Sequence, residues 1–212
     1  MTERDGWARL GKLHTSTHVL NTPCLLPVIN PNIRTVEPRE LWDRYGFEAL
    51  ITNSYVIWKH EKLKSKALSD GVHDLLDYPG VVMTDSGTFQ NYVYGDVEVG
   101  VEEIVEFQRE IGVDIATMLD VFGTPDMTKE EVSEAVKETL ARSKASLDAA
   151  EGTMLNGPIQ GGIHADLRAE SAHGMAQHAF AVHPIGGIVP LMERQRYRDL
   201  VEIILACREH IP

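Results

Sequence analysis

The sequence predicts a parallel α/β fold, a TIM (β/α)8-type barrel that is incomplete at about six βα units. Three observations lead there. Short apolar runs of strand length alternate with helical patterns along most of the chain. Polar residues stand at the carboxyl ends of those runs, where parallel β/α proteins place their chemistry. The glycine fingerprint that a doubly wound nucleotide-binding sheet needs is missing, since Gly161-Gly162 and Gly186-Gly187 lack its spacing.

The elements follow in order. Pro23 to Ile29 reads as the first strand, with a helix near Glu37 to Tyr45. Ala49 to Tyr55 is the second strand, followed by a charged helix near Trp58 to Ser69. Gly80 to Thr84 is a short buried third strand that Asp85-Ser86-Gly87 leaves as a turn, and Val101 to Ile111 is helical. Asp114 to Asp120 is the fourth strand. The long helix after it opens on Thr128-Lys-Glu-Glu131, a capping box, and Val132, Val136, Leu140 and Leu147 keep an approximately helical spacing. Leu155 to Gln160 is the fifth strand, with a helix near Ala165 to Ala181. Ile185 to Val189 is the sixth, with a last helix near Arg194 to Arg208. About six strands do not close an eight-stranded barrel, so the expectation is one domain over residues 1–212 that stops before a seventh strand.

Composition narrows the class. With 212 residues, 43% of them hydrophobic and 25% charged, the chain can build a real core and is not disordered. The 32 acidic against 20 basic side chains give a net charge of -12, which repels nucleic acid unless cations gather locally. Lys59, Lys62, Lys64 and Lys66 form one such cluster, and Arg194, Arg196 and Arg198 another, although solvated helix faces explain each more simply. Cys24 and Cys207 stand far apart, which excludes a disulfide framework or zinc knuckle and suggests free thiols in a reducing cytosol. The amino terminus lacks the apolar core of a signal peptide, and no apolar run reaches membrane-spanning length, so a cytoplasmic protein without a membrane partner is expected. His164, His173, His178 and His183 lie at spacings that turn them off one helix face, and no metal is expected on them.

The strand ends carry the candidate site. Asp85 and Ser86 follow the third strand, Asp120 ends the fourth, Gln160 ends the fifth, and Gly186 and Gly187 lie on the sixth. Such a set suits a flat heterocycle. A carboxylate such as Asp120 accepts from adjacent ring N–H and exocyclic amino groups, and an amide such as Gln160 both donates and accepts. Gly187 can offer a backbone N–H with no side chain in the way, and Phe89 can stack on the ring. Each has a plainer reading as well: Asp85 and Ser86 as caps, Asp120 as a turn former, Gln160 as a strand-end hydrogen bonder, the glycines as close packing and Phe89 as core.

Longer motifs carry a family resemblance. Met83 to Glu98 (Met-Thr-Asp-Ser-Gly-Thr-Phe-Gln-Asn-Tyr-Val-Tyr-Gly-Asp-Val-Glu), Ile159-Gln-Gly-Gly162 and His183 to Leu191 resemble the tRNA-guanine transglycosylases of the archaeal kind, as do Pro27-Val-Ile-Asn-Pro31 and Ile51-Thr-Asn-Ser-Tyr55. The resemblance covers nearly the whole chain, and Val93 to Glu98 favours the archaeal branch over the bacterial one. It implies a TIM barrel that exchanges guanine at position 15 of the tRNA D-loop for 7-cyano-7-deazaguanine, on the way to archaeosine. It also implies Asp85 as the first catalytic aspartate, in a nucleophilic or acid/base role, with Ser86 and Phe89 holding the base. Asp120 resembles the aspartate that reads the guanine edge, Gln160 the pocket glutamine, and Gly187 with Ile188 the backbone facing the base carbonyl. The exchange resembles a double displacement at the ribose carbon, which needs no nucleoside triphosphate.

Relative to that family the chain stops short. The last barrel strands, a second aspartate, a zinc site of three cysteines and a histidine, and the RNA-binding modules would lie beyond Pro212, so no cofactor is expected in this chain. The expected partners are tRNA, a 7-deazaguanine-type base, and a second copy or a partner chain that completes the barrel. The alternative is a non-catalytic base- or tRNA-binding subunit that depends on another chain for activity.

Overall fold

A computed structural model describes residues 1–88 and 99–211. Phe89 and most of the Met83 to Glu98 motif lie outside the described residues. The contacts gather into two compact units, one of residues 1–86, 106–116 and 152–154, the other of residues 87–105, 117–151 and 155–212.

The first unit opens on an antiparallel sheet that the sequence reading did not anticipate, made of β1 (Glu3–Asp5), β2 (Ala8–His14) and β3 (Val19–Thr22). Asp5 pairs with Ala8 across a two-residue turn in which Gly6 takes φ +56°. Gly6 was the available signal, since glycine at the first position of a two-residue loop favours a hairpin turn. Strands β4 (Val28–Ile29), β5 (Ala49–Asn53) and β6 (Val81–Asp85) pair in parallel, and β6 pairs in parallel with β7 (Ile115–Thr117). With β8 (Met154–Asn156) they form a five-stranded sheet in chain order. Leu50, Val81 and Val82 are fully buried, so β5 and β6 are apolar on both faces, as central parallel strands are. Leu20, Ala49, Val81 and Ile115 form a core cluster, against which Leu13, Leu26 and Met83 pack.

The helices of this unit are shorter than expected. Helix α1 runs Pro38–Asp43, and the single helix expected near Trp58 is two, α2 (Ser54–Lys59) and α3 (Glu61–Asp70), followed by α4 (Val72–Leu76). Asn53 ends β5 and caps α2 by accepting from the Val56 N–H at 2.8 Å, so Ser54 and Tyr55 leave the strand expected to include them.

A buried ionic pin ties this unit together. Asp114 accepts from the Val82 N–H at 2.8 Å and from Thr17, and His73 Nε2 lies 3.2 Å from it. The other ring nitrogen of His73 sits 3.1 Å from the Tyr78 carbonyl. Two acceptors on one imidazole favour the doubly protonated cation. The hydrogen bond to Asp114 raises the His73 pKa. Burial pushes the Asp114 carboxyl up, yet the bonds from His73, Thr17 and Val82 outweigh it and hold the carboxyl below its ordinary range. His73 therefore adds stability below its unfolded pKa of about 6.5 and loses it as pH rises through the raised folded value. Asp114 adds stability above its unfolded pKa of about 3.9 and loses it as pH falls through the lowered one. Thermal melts across pH should show a stability plateau between about pH 4 and 6.5 whose alkaline fall is absent in His73→Gln; an unchanged alkaline limb in that variant would remove His73 from the account.

In the second unit, α5 (Val101–Glu110) begins at Val101, and α6 (Lys129–Ala150) is the long helix the capping box predicts. Thr128 and Glu131 each accept from the other's backbone N–H, a closure worth about 1 kcal/mol. Val132 and Val136 bury against Leu167 of α7 (Ala165–Met175), with Met127 and Leu140 beside them. Short helix α8 (Val189–Glu193) and α9 (Tyr197–Arg208) complete the described chain.

The expected sixth strand is corrected. One isolated bridge remains of it, Ile159 with Ile185, and Val189 already starts α8. Gly187 turns the chain with φ +70°, Ile188 is in the helical region, and Pro190 occupies the first turn of α8, where its missing N–H costs nothing. No closed barrel is present among the described residues; the fold is mixed α/β on a five-stranded parallel sheet.

Candidate functional site

Asp85 is the last residue of β6, where it pairs in register with Asn53 at the end of β5. Its carbonyl accepts from the Ser54 hydroxyl at 2.7 Å, and Thr84 before it donates to Gln108 at 2.7 Å. These bonds hold the main chain on either side of the Asp85 carboxylate. Ser86 is fully buried directly after it. Both predicted residues thus stand at the carboxyl end of a parallel strand, as the sequence reading expected.

In the second unit the structure brings together Asp120, Gln160, Gly186 and Gly187. Helix α6 secures the main chain around Asp120: Arg142 donates to the Leu119 carbonyl at 3.1 Å, and Thr139 accepts from the Val121 N–H at 2.9 Å. Thr88 donates to the Asp120 carbonyl at 3.2 Å. The carboxylate itself is buried and accepts from Gln160 Nε2 at 2.5 Å. Burial pushes its pKa up, and the hydrogen bonds from Thr88 and Gln160 oppose that only in part.

Gln160 is held from both ends. Its backbone N–H donates to Ser171 on α7 at 3.1 Å, and its side chain reaches Asp120, while its Oε1 is buried without a partner. The glycines are steric necessities here. A Cβ on Gly186 would stand 2.3 Å from Gln160 Nε2, and one on Gly187 would stand 3.0 Å from the Gly123 carbonyl and 3.3 Å from Gln160 Oε1. The Gly186 N–H is spent on the Ile159 carbonyl at 3.0 Å. Ile188 caps α8, its carbonyl accepting from Leu191 and Met192 at 3.1 Å. Among the described residues the N–H groups of Gly187 and Ile188 have no protein acceptor, which leaves donors for an oxygen on a ligand.

One residue here was missed in the sequence. Arg168 is completely buried under the Gln160 turn, donating to the carbonyls of Ile159 (2.7 Å) and Gly162 (3.0 Å). The available signal was an arginine on the α7 face that also carries Leu167, Ser171, Ala172 and Met175, all buried.

Several side chains of the basic clusters are engaged locally, and of the three arginines only Arg198 lies within a helix. Arg194 forms a two-point pair with Asp126 (2.8 and 2.6 Å), Arg196 pairs with Asp199 at 2.6 Å, and Arg198 with Glu202 at 2.9 Å. In the other cluster Lys66 pairs with Asp70 at 2.8 Å, and Lys64 lies 4.6 Å over the Trp58 ring. Cys24 is exposed and Cys207 buried, both as free thiols. Among the described residues no group of three or more His, Cys, Asp or Glu could hold a metal. No helix among them is long and apolar enough to cross a membrane.

The model of the queuine tRNA-ribosyltransferase family matches residues 4–212. Curated relatives named tRNA-guanine(15) transglycosylase are similar over nearly all of the chain. That of Thermoplasma acidophilum is 48% identical over 203 residues, covering 96% of this chain and 32% of the relative. That of Methanopyrus kandleri is 46% identical over 210 residues, covering 99% and 46%. That of Thermoplasma volcanium is 50% identical over 203 residues, covering 96% and 32%. The chain therefore spans less than half the length of these relatives.

Proposed function

The chain belongs to the queuine tRNA-ribosyltransferase family, and from that premise we propose that it forms the base-recognising part of a cytoplasmic tRNA-guanine transglycosylase of the archaeal kind. The enzyme replaces guanine at position 15 in the tRNA D-loop with 7-cyano-7-deazaguanine. The supporting observation is the buried Asp120–Gln160 pair beside the Gly187 backbone, which gathers acceptors and donors in one place. Guanine presents N1–H and an exocyclic amino group on one edge and a carbonyl next to them. Asp120 accepts from the first two, the N–H groups of Gly187 and Ile188 donate to the carbonyl, and the free Gln160 oxygen accepts the second N–H of the amino group. Burial strengthens each of these contacts.

Asp85 acts at the glycosidic bond, as the nucleophile or as the group that moves the proton, the role that the resemblance implies for it. In a double displacement, a carboxylate oxygen bonds to C1′ as the bond to guanine N9 breaks. The electron pair and a proton go to guanine, and the incoming base reverses the steps. A TIM barrel closed by strands beyond those described, from the same polypeptide or from a partner chain, completes the enzyme. The length of the relatives supports this reading, and also the alternative in which this chain only binds base or tRNA for a partner that performs the exchange.

Radiolabelled guanine exchange into unmodified tRNA tests it, with the chain alone and with the C-terminal portion of a relative added. Exchange on addition of that portion is expected. Guanine binding without exchange in either mixture would favour the binding-subunit reading, and neither binding nor exchange would refute the proposal.

A further inference from the structure

Arg168 is the one fully buried cation among the described residues. It has no carboxylate within ion-pairing distance there, its guanidinium answering instead to two main-chain carbonyls. Burying a charge in this way is unfavourable, and an apolar side chain of similar volume often serves stability better. What the guanidinium does make is specific. Its Nε and Nη1 donate to Gly162 and Ile159, the residues that bracket Gln160-Gly161. The planar fork of donors matches two carbonyls at once, which a lysine ammonium does not.

The turn it grips is unusual. Gly161 and Gly162 take φ of +145° and +54°, and a Cβ on Gly161 would stand 2.7 Å from the Arg168 backbone N. The turn therefore lies directly on the first part of α7, and Ser171, one helical turn beyond Arg168, takes the Gln160 N–H. The third guanidinium nitrogen, Nη2, is buried with no partner, as is Gln160 Oε1. Both lie beside Gly187: a Cβ there would be 3.3 Å from Gln160 Oε1 and 3.5 Å from Arg168 Nη2. Burial lowers the Arg168 pKa only to about 10, so the fork keeps all its donors at neutral pH.

We propose that Arg168 is a positioning residue for base recognition: its guanidinium clamps the turn carrying Gln160, which turns the Gln160 amide to Asp120 and its free oxygen toward the incoming base. The inference rests on the guanine-recognition reading above and extends it to a residue that touches no substrate.

NMR of the Gln160 side-chain amide, assigned by its loss in Gln160→Met, tests the clamp on the full chain without any ligand. In Arg168→Lys and Arg168→Met, exchange of that amide should accelerate at least about tenfold, while folded-state dispersion elsewhere is kept. In the enzyme completed with the C-terminal portion, KM for guanine should rise at least about tenfold with kcat within about threefold. Guanidinium ion added to Arg168→Ala should restore the affinity. An unchanged Gln160 amide in a folded Arg168 variant overturns the proposal, as does a rise confined to kcat loss. If no variant folds, the unaltered chain decides. Separate, slowly exchanging Arg168 Nη signals support a locked fork, and one averaged signal overturns it. A chain that binds no guanine yet keeps the coupling between Arg168 and Gln160 would count against the proposed function and not against the clamp.

Discussion

An Asp85→Asn enzyme should exchange guanine at least about a thousandfold more slowly than the unaltered one. The amide is the same size, so the strand end is preserved: Ser54 still donates to the residue 85 carbonyl, and β6 keeps its register with β5. What disappears is the charge. An amide neither bonds to the ribose carbon as a leaving-group carboxylate would nor carries a proton near neutral pH, so either role proposed for Asp85 fails. The measurement is the initial rate of labelled guanine release from tRNA at saturating tRNA and base, in the enzyme completed with its C-terminal portion. A rate within tenfold of the unaltered enzyme would take Asp85 out of the chemistry, whatever its position.

Asp120→Asn should instead weaken guanine binding about a hundredfold and erase most of the preference for guanine over adenine. The asparagine turns one donor toward a base edge that itself consists of donors, leaving buried groups unpaired. Folding should not suffer. Burial raises the Asp120 pKa, so ionising it costs the folded state stability as pH rises through that value, and the neutral asparagine is spared this cost. The same shift gives binding a pH dependence of definite sign. The ionised carboxylate is the form that accepts twice, so guanine affinity should improve as pH rises through the raised pKa of Asp120 and level off above it. In Asp120→Asn that slope should vanish. Equilibrium binding of guanine at a series of pH values, with adenine as competitor, checks both parts, and a slope that survives the substitution assigns it to another group.

The parallel pattern and the place of Asp85 at a strand end were legible because they depend on local order. Apolar runs such as Gly80 to Thr84 are strands whether or not the neighbours are known, and Thr128 with Glu131 closes a helix end within four residues. Boundaries were less legible. The pattern extends the second strand to Tyr55, yet Asn53 both ends β5 and caps α2, so Ser54 and Tyr55 are helical; only the next turn of chain decides where such a strand stops. The sixth strand failed for a related reason: Ile185 to Val189 has β-type side chains, but Gly187 and Pro190 govern the backbone there.

By itself, the sequence determined the α/β class, the long helix and the family, and it singled out Asp85, Asp120, Gln160 and the two glycines after Ile185 as candidates. Each is carried by spacing within one segment or by motif identity. Tertiary structure alone decided that Gln160 bonds to Asp120, forty residues away, that Gly186 and Gly187 must be bare because Gln160 lies against them, and that Arg168 sits charged and buried beneath the turn. Such facts depend on which segments meet and on how much water remains between them. A burial-raised carboxylate or an unpaired guanidinium nitrogen exists only once packing has removed the solvent.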